Sequence, residues 1–260
     1  MKKVLVMSLL ALVVMTMSSC MRVKIDGKDW NFGGHTNDTP TQVHQVGQVT
    51  SMEAFDNVDV AGPFNVIFEQ GESHSVRVEG TAEQLGKMTI YVKNGDLIID
   101  QRKQEPSGTF DGLQVFVTSP MVECLEIAGS GTITAPKALN VNDMNLEIAG
   151  SGDITLAQLT CKALKMVIAG SGDITLGTVQ ANEASSEIAG SGDIEVAGLI
   201  CKNVNNQIAG SGNITLNNLQ VDHVKSEIAG SGDVILRGKV GSHDEEVAGS
   251  GKVDVSGLNR

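Results

Sequence analysis

Apolar and polar positions along the second half of the chain recur with a fixed period. The phrase Ile-Ala-Gly-Ser-Gly starts at Ile127, Ile148, Ile168, Ile188, Ile208 and Ile228, with a Val version at Val247. These starts lie 21, 20, 20, 20, 20 and 19 residues apart. Self-similarity at a fixed period marks a solenoid, in which each unit buries its apolar face only against its neighbours. Six positions after each start stand Ile133, Ile154, Ile174, Ile194, Ile214, Val234 and Val253. Two further on come Ala135, Leu156, Leu176, Val196, Leu216, Leu236 and Val255, with Thr134, Thr155, Thr175 and Thr215 in between. Apolar–polar alternation rich in β-branched residues predicts a half-buried strand. The short segment before Ala-Gly-Ser-Gly, Glu-Ile in four of the seven copies, continues the alternation. Leu159, Val179, Leu199 and Leu219 give a further apolar column. Val141, Cys161, Ala181, Cys201, Val221 and Val240 give a column of small apolar residues seven positions before each start.

Each unit therefore reads as strand, tight Gly-Ser-Gly corner, strand and looser return, which is one coil of a β-helix. The predicted fold is all-β: a right-handed parallel β-helix of about seven 20-residue coils over residues 121–258. At ~4.8 Å per coil the rod is roughly 34 Å long. Helical repeats of similar period need apolar residues three and four apart and tolerate few glycines. The Leu-x-x-Leu-x-Leu signature of leucine-rich repeats is missing. Cys161 and Cys201 fall in one column two coils apart, roughly 9–10 Å, whereas a disulfide needs Cα atoms within about 7 Å. Together with Cys124 they are expected to be three buried thiols.

Residues 51–120 show shorter strand patterns around Val58 and Val60, Phe64 to Phe68, Val76 to Val78, Ile90 to Val92, Leu97 to Ile99 and Leu113 to Val117. Asn94-Gly95 is a hairpin turn signal. Val60-Ala61-Gly62-Pro63-Phe64-Asn65-Val66 is a degenerate copy of the repeat. This stretch is predicted to be an atypical β-rich region that caps the first coil, since a solenoid end otherwise exposes strand edges. Upstream, Lys2 and Lys3 precede an uncharged, mostly apolar run from Val4 to Met17. That run is shorter than the ~20 residues of a spanning helix and reads as an export signal over residues 1–19. Met17-Ser18-Ser19-Cys20 resembles the processing box of bacterial lipoproteins, so Cys20 is the expected lipidation site and residues 20–50 the tether.

Composition narrows the function. Six Phe, one Trp and one Tyr against 30 Gly argue against a membrane β-barrel with aromatic girdles. Stacking platforms for single-stranded nucleic acid are disfavoured for the same reason. Without the signal, 17 Lys and Arg face 31 Asp and Glu, a net charge near −14. A nucleic acid would be repelled at long range.

Val60-Ala61-Gly62-Pro63-Phe64-Asn65-Val66, the strand Val76-Arg77-Val78-Glu79-Gly80, the Asn94-Gly95 hairpin and the Gly-Ser-Gly coils occur together. In this combination, over roughly residues 50–255, the chain resembles the auto-transporter adhesin head domain (head GIN domain) family, common among lipoproteins of Bacteroides-like bacteria. The resemblance implies an exported β-helical protein with an adhesive role and carries no catalytic residues. No barrel-forming segment remains once the coils are assigned.

Two repeated features invite a chemical reading. Ser130, Ser151, Ser171, Ser191, Ser211, Ser231 and Ser250 are equivalent, and seven equivalent nucleophiles without a general base are implausible. A corner role suffices, with glycine torsions and stacked hydroxyls bonding backbone. Asp153, Asp173, Asp193 and Asp233 form one acidic column, broken by Asn213 and ended by Lys252. Glu126, Glu147, Glu187, Glu227 and Glu246 form another, broken by Val167 and Gln207. Calcium suits oxygen-rich sites, which makes the Asp column a weak metal candidate. Its spacing departs from the nine-residue calcium β-roll, so a solvated face with local Asx-type bonding is expected and no cofactor. The expected function is a lipid-anchored cell-envelope protein, an adhesin or surface-binding module without catalysis. It would sit on the outer membrane, facing the surface or the periplasm. Its partners would be the membrane through the lipid and a polysaccharide or protein ligand, with self-association through open coil ends. The alternative is a carbohydrate-active β-helix enzyme, for which fold alone is no warrant.

Overall fold

The computed structural model describes residue 43, residues 45–101 and residues 109–259. The export signal, Cys20 and most of the tether lie outside the described residues. The packed body includes Val43 and Val46, which rest against the core, and β1 (Thr50–Ser51), which pairs with a later strand.

The cap is built from β2 (Asn57–Ala61), β3 (Asn65–Gln70), β4 (Ser75–Glu79), α1 (Ala82–Gly86), β5 (Met88–Lys93), β6 (Asp96–Gln101) and β7 (Gln114–Ser119). Each strand follows the inward–outward alternation its sequence predicts. Helix α1 is one short turn that the strand pattern did not predict. A capping box holds it: Thr81 accepts from the Gln84 N–H while the Gln84 side chain accepts from the Thr81 N–H. The predicted turn is also present, with Asn94 at φ +56° and Gly95 at φ +89° joining β5 to β6. The degenerate copy does form a coil. In β2, Val60 is in register with Ile99 on one side and with Ile127 on the other. In β3, Val66 lies between Val115 and Ile133. These pairings are parallel, whereas β5 closes β6 and β4 closes β7 in antiparallel fashion, with β1 antiparallel to β4. The switch in direction ends the solenoid by pairing its edge.

The regular coils follow as β8 (Cys124–Gly129), β9 (Thr132–Asn140), β10 (Asp143–Gly150), β11 (Asp153–Thr160), β12 (Ala163–Gly170), β13 (Asp173–Gln180) and β14 (Glu183–Gly190). From there strands run through the return as β15 (Ile194–Gly210), β16 (Ile214–Gly230) and β17 (Val234–Gly249), ending with β18 (Val253–Asn259). Every pairing among them is parallel. Ile127, Ile148, Ile168, Ile188, Ile208, Ile228 and Val247 form one stack. Ile133, Ile154, Ile174, Ile194, Ile214, Val234 and Val253 form the next. The protein is a parallel β-solenoid of about 7 turns. The stacked apolar columns fill its core, with Ile148, Ile168 and Ile188 fully buried.

Departures from the 20-residue period fall at the return corner. The register shifts between Leu156 and Gln158, where Pro136 and Lys137 face Ala157, and again between Leu216 and Leu219, where Asn217 and Asn218 face Arg237. Asn218 takes up the strain at φ +46°. The Gly-Ser-Gly corner never varies in length, and its geometry explains why. Gly190 has φ +144°, and a Cβ there would collide with the carbonyl oxygen of Gly170 in the coil before. A Cβ on Gly192 would collide with the carbonyl oxygen of Gly172. Between them, Ser191 N–H donates to Gly170 O at 2.8 Å. The backbone N–H of this column stitches the corner, while the Ser191 side chain is exposed.

Gly190→Val and Gly192→Val are each expected to cost more than ~1 kcal/mol, read as a lower Tm. Ser191→Ala should stay within about 0.5 kcal/mol. An equal loss from the Ser change would show that the hydroxyl, not the backbone, holds the corner.

Candidate functional site

The Asp column lies just after the corner, where one coil passes its backbone to the next. Asp173 N–H donates to Asp153 Oδ1 at 3.2 Å, and Asp193 N–H to Asp173 Oδ1 at 2.9 Å. Asn213 N–H donates to Asp193 Oδ1 at 2.8 Å, Asp233 N–H to Asn213 Oδ1 at 3.1 Å and Lys252 N–H to Asp233 Oδ1 at 3.1 Å. Asn213 looks like a break in the sequence but continues the ladder, because an amide oxygen accepts as a carboxylate does. Each side chain satisfies a backbone donor of the following coil. Among the described residues no three or more His, Cys, Asp or Glu side chains converge to hold a metal ion.

The second acidic column is longer than the repeat shows. Asp59 of the cap heads it, in register with Glu126, which pairs with Glu147. The signal was present in the degenerate copy, where Val58-Asp59-Val60 matches Leu125-Glu126-Ile127. Near the cap this column departs from the solvated face expected from its charges, with Glu147 3% exposed and Val167 fully buried, whereas Glu187 and Glu227 are half-buried and Glu246 is exposed. Burial pushes the Glu126 carboxyl up to about 7, with Asp59, Glu147 and Asp96 adding repulsion. Burial likewise raises Asp59 to about 6, with Asp96 and Glu147 contributing.

A groove of about 790 Å³ runs along the return corner. Its floor is the small apolar column Cys161, Ala181, Cys201, Val221 and Val240, and polar side chains such as Gln180, Gln220, Asn182 and Lys202 line it. Ile200 on its rim is 44% exposed. Cys161 and Cys201 are free thiols, as their separation predicts. Burial raises both to about 11, so they are neutral and poor nucleophiles. The single S–H of Cys201 has two carbonyl acceptors within reach, Asn182 O at 3.2 Å and Asn203 O at 3.1 Å. Cys124 departs from the expected three thiols, since it is disulfide-bonded. Its partner lies outside the described residues. Spacing within the coils could not reveal that bond.

Geometry thus defines a class before any comparison: a β-solenoid with a side-chain-lined groove, whose repeated polar residues serve its own backbone. The chain belongs to the family described as "Putative auto-transporter adhesin, head GIN domain", which matches residues 54–218 and 207–260. A solved "putative adhesin" from Bacteroides fragilis is similar at 22% identity and a TM-score of 0.74, covering 80% of this chain and 94% of that one. A "putative adhesin" from Parabacteroides merdae shares 19% identity with a TM-score of 0.65, over 86% of this chain and 98% of that one. A "putative lipid binding protein" from Parabacteroides distasonis shares 20% identity with a TM-score of 0.62, over 86% and 98%. At these identities the likeness is one of fold. No curated protein matches the chain.

The Asp ladder generates a clean contrast. Asp193→Asn keeps the acceptor for Asn213 N–H and should leave the Tm nearly unchanged. Asp193→Ala strands that donor and should cost about 1 kcal/mol. Unfolding in chelator and in millimolar calcium should coincide at moderate salt. A large calcium-dependent rise in Tm that survives salt would make the column a metal site.

The carboxyl column predicts a pH dependence. Folded, Glu126 and Asp59 hold protons that the unfolded chain has released, so their contribution to stability falls as pH rises from about 4 towards 7. Glu126→Gln should raise the Tm at pH 8 and flatten the gain seen on acidification to pH 5. Parallel pH profiles for the two proteins would contradict this.

Proposed function

We propose that the chain is a lipid-anchored, non-catalytic module of the cell envelope that binds a polysaccharide or protein surface through its long groove. Membership in an adhesin family supports an adhesin-like role and an extracellular or cell-envelope location. The observation that carries the non-catalytic reading is the Asp ladder, in which one oxygen of each side chain, Oδ1, accepts a backbone N–H of the next coil, from Asp173, Asp193, Asn213, Asp233 and Lys252. The seven corner serines are equivalent and the groove thiols Cys161 and Cys201 stay neutral, which supports a groove whose described serines and thiols include no activated nucleophile.

The groove favours recognition by side chains. Its backbone groups are already paired between coils: Cys161 N–H to Gln180 O at 2.9 Å, Ala181 N–H to Ile200 O at 3.0 Å and Lys202 N–H to Asn182 O at 2.9 Å. A peptide therefore finds no free edge there on which to add a strand. Amides over an apolar floor instead match a polymer that offers hydroxyls and C–H faces. Incubation with a polysaccharide panel separates the readings. Binding without turnover supports the module, and turnover lost on neutralising one carboxylate would establish the carbohydrate-active enzyme instead.

Anchoring rests on Cys20. Among the described residues no helix is long and apolar enough to cross a membrane. Cys20→Ala should lose the acyl chain and leave the membrane fraction, as read by mass spectrometry of the N-terminal peptide and by sedimentation. Unchanged sedimentation and acylation would remove Cys20 from the role. Protease shaving of intact cells then distinguishes the surface from the periplasmic face.

A further inference from the structure

One inward column changes character part-way along the rod. Two residues before each repeat start stand Leu125, Leu146 and Met166, all buried. In the next coils the same column holds Ser186 and Asn206, fully buried, and Ser226, 1% exposed. The residues are in register, Met166 with Ser186, Ser186 with Asn206, Asn206 with Ser226, and Ser226 with Glu245 in the exposed last coil. The neighbouring inward column shrinks where the change begins, from Leu164 to Ala184. A polar file thus runs inside the core from an exposed carboxylate to a wall of methionine.

Hydrogen bonding along this file is incomplete. Asn206 Nδ2 donates to Ser226 Oγ at 3.3 Å. Ser186 Oγ and Asn206 Oδ1 are buried and have no partner. Each such group is destabilising if left unpaired, and native interiors relieve that cost with ordered water where two or more polar partners converge. Successive coils lie about 4.8 Å apart, and no bond joins Ser186 Oγ to Asn206 Oδ1 directly; one water can bridge a gap of that order with two bonds of ordinary length near 2.8 Å. Leucine or methionine in this column would fill that space, while serine beside alanine leaves room.

We propose that the C-terminal half of the core binds a file of ordered water, entered at the coil of Glu245 and closed at Met166, with one water bridging Ser186 Oγ and Asn206 Oδ1. Water there serves as a structural ligand. It makes the later coils a hydrated unit distinct from the dry coils before them. In a solenoid, where each coil answers only to its neighbours, this sets the end from which the rod opens.

The test combines a crystal structure of the mature chain, at a resolution that shows ordered water, with thermal unfolding of Ser186→Ala. Expected are density within hydrogen-bond reach of both Ser186 Oγ and Asn206 Oδ1, its loss in the variant, and a Tm lowered by about 2–4 °C. Absence of the density, with the Asn206 amide turned so that Nδ2 reaches Ser186, would overturn the proposal in favour of a direct amide–hydroxyl ladder. A Tm that rises in Ser186→Ala would overturn it too, because removing an unsatisfied hydroxyl stabilises a core whereas removing a hydrated one does not.

Discussion

Backbone hydrogen bonding between identical positions of successive coils is the interaction on which everything else in this protein depends. It requires one coil to lie directly on the next at strand spacing, and that in turn requires a corner with nothing projecting along the axis. The two glycines of Gly-Ser-Gly meet this demand. The carbonyl of Gly170 occupies the place where a side chain at Gly190 would go and accepts the N–H of Ser191. With the corner fixed, side chains stack in columns and each column must be chemically tolerable as a column. Ile accomplishes this by packing on Ile. Asp accomplishes it only because each carboxylate turns to the backbone of the next coil and spreads its charge over an N–H.

The same constraint explains where irregularity is allowed. An added or missing residue in the return corner shifts only a local register, as at Pro136 and at Asn217-Asn218, and the columns resume beyond it. The cap obeys it as well, since β2 and β3 continue both stacks before antiparallel strands end them. Charge is tolerated less evenly. The column from Asp59 through Glu126 to Glu147 loses solvent, and burial makes Asp59 and Glu126 hold their protons more tightly than free carboxyls.

Function in such a molecule resides where the coils differ or where a column is recessed. The groove over Cys161, Ala181 and Cys201 is recessed because that corner uses small residues, and its walls vary from coil to coil while its floor stays small and apolar. The proposed binding of a polymer by side chains along the rod rests on that combination. The long faces lack such variation and read as scaffold.

Much of this was legible in the chain. Period, alternation and glycine spacing dictate parallel coils, the corner, the apolar columns and the separation of Cys161 from Cys201, because each is a local property repeated at a fixed interval. The cap hairpin at Asn94-Gly95 and the degenerate coil at Val60 were legible for the same reason. Tertiary structure alone decided the rest. Asn213 reads as an interruption until its amide oxygen is seen accepting the N–H of Asp233. Glu147 reads as a surface charge until its burial is seen. Cys124 reads as one more buried thiol, yet it is disulfide-bonded. Ser186, Asn206 and Ser226 read as a polar face, although they point inward. A pattern of polarity fixes which residues alternate, whereas partners and solvent access come from what another part of the chain places beside them.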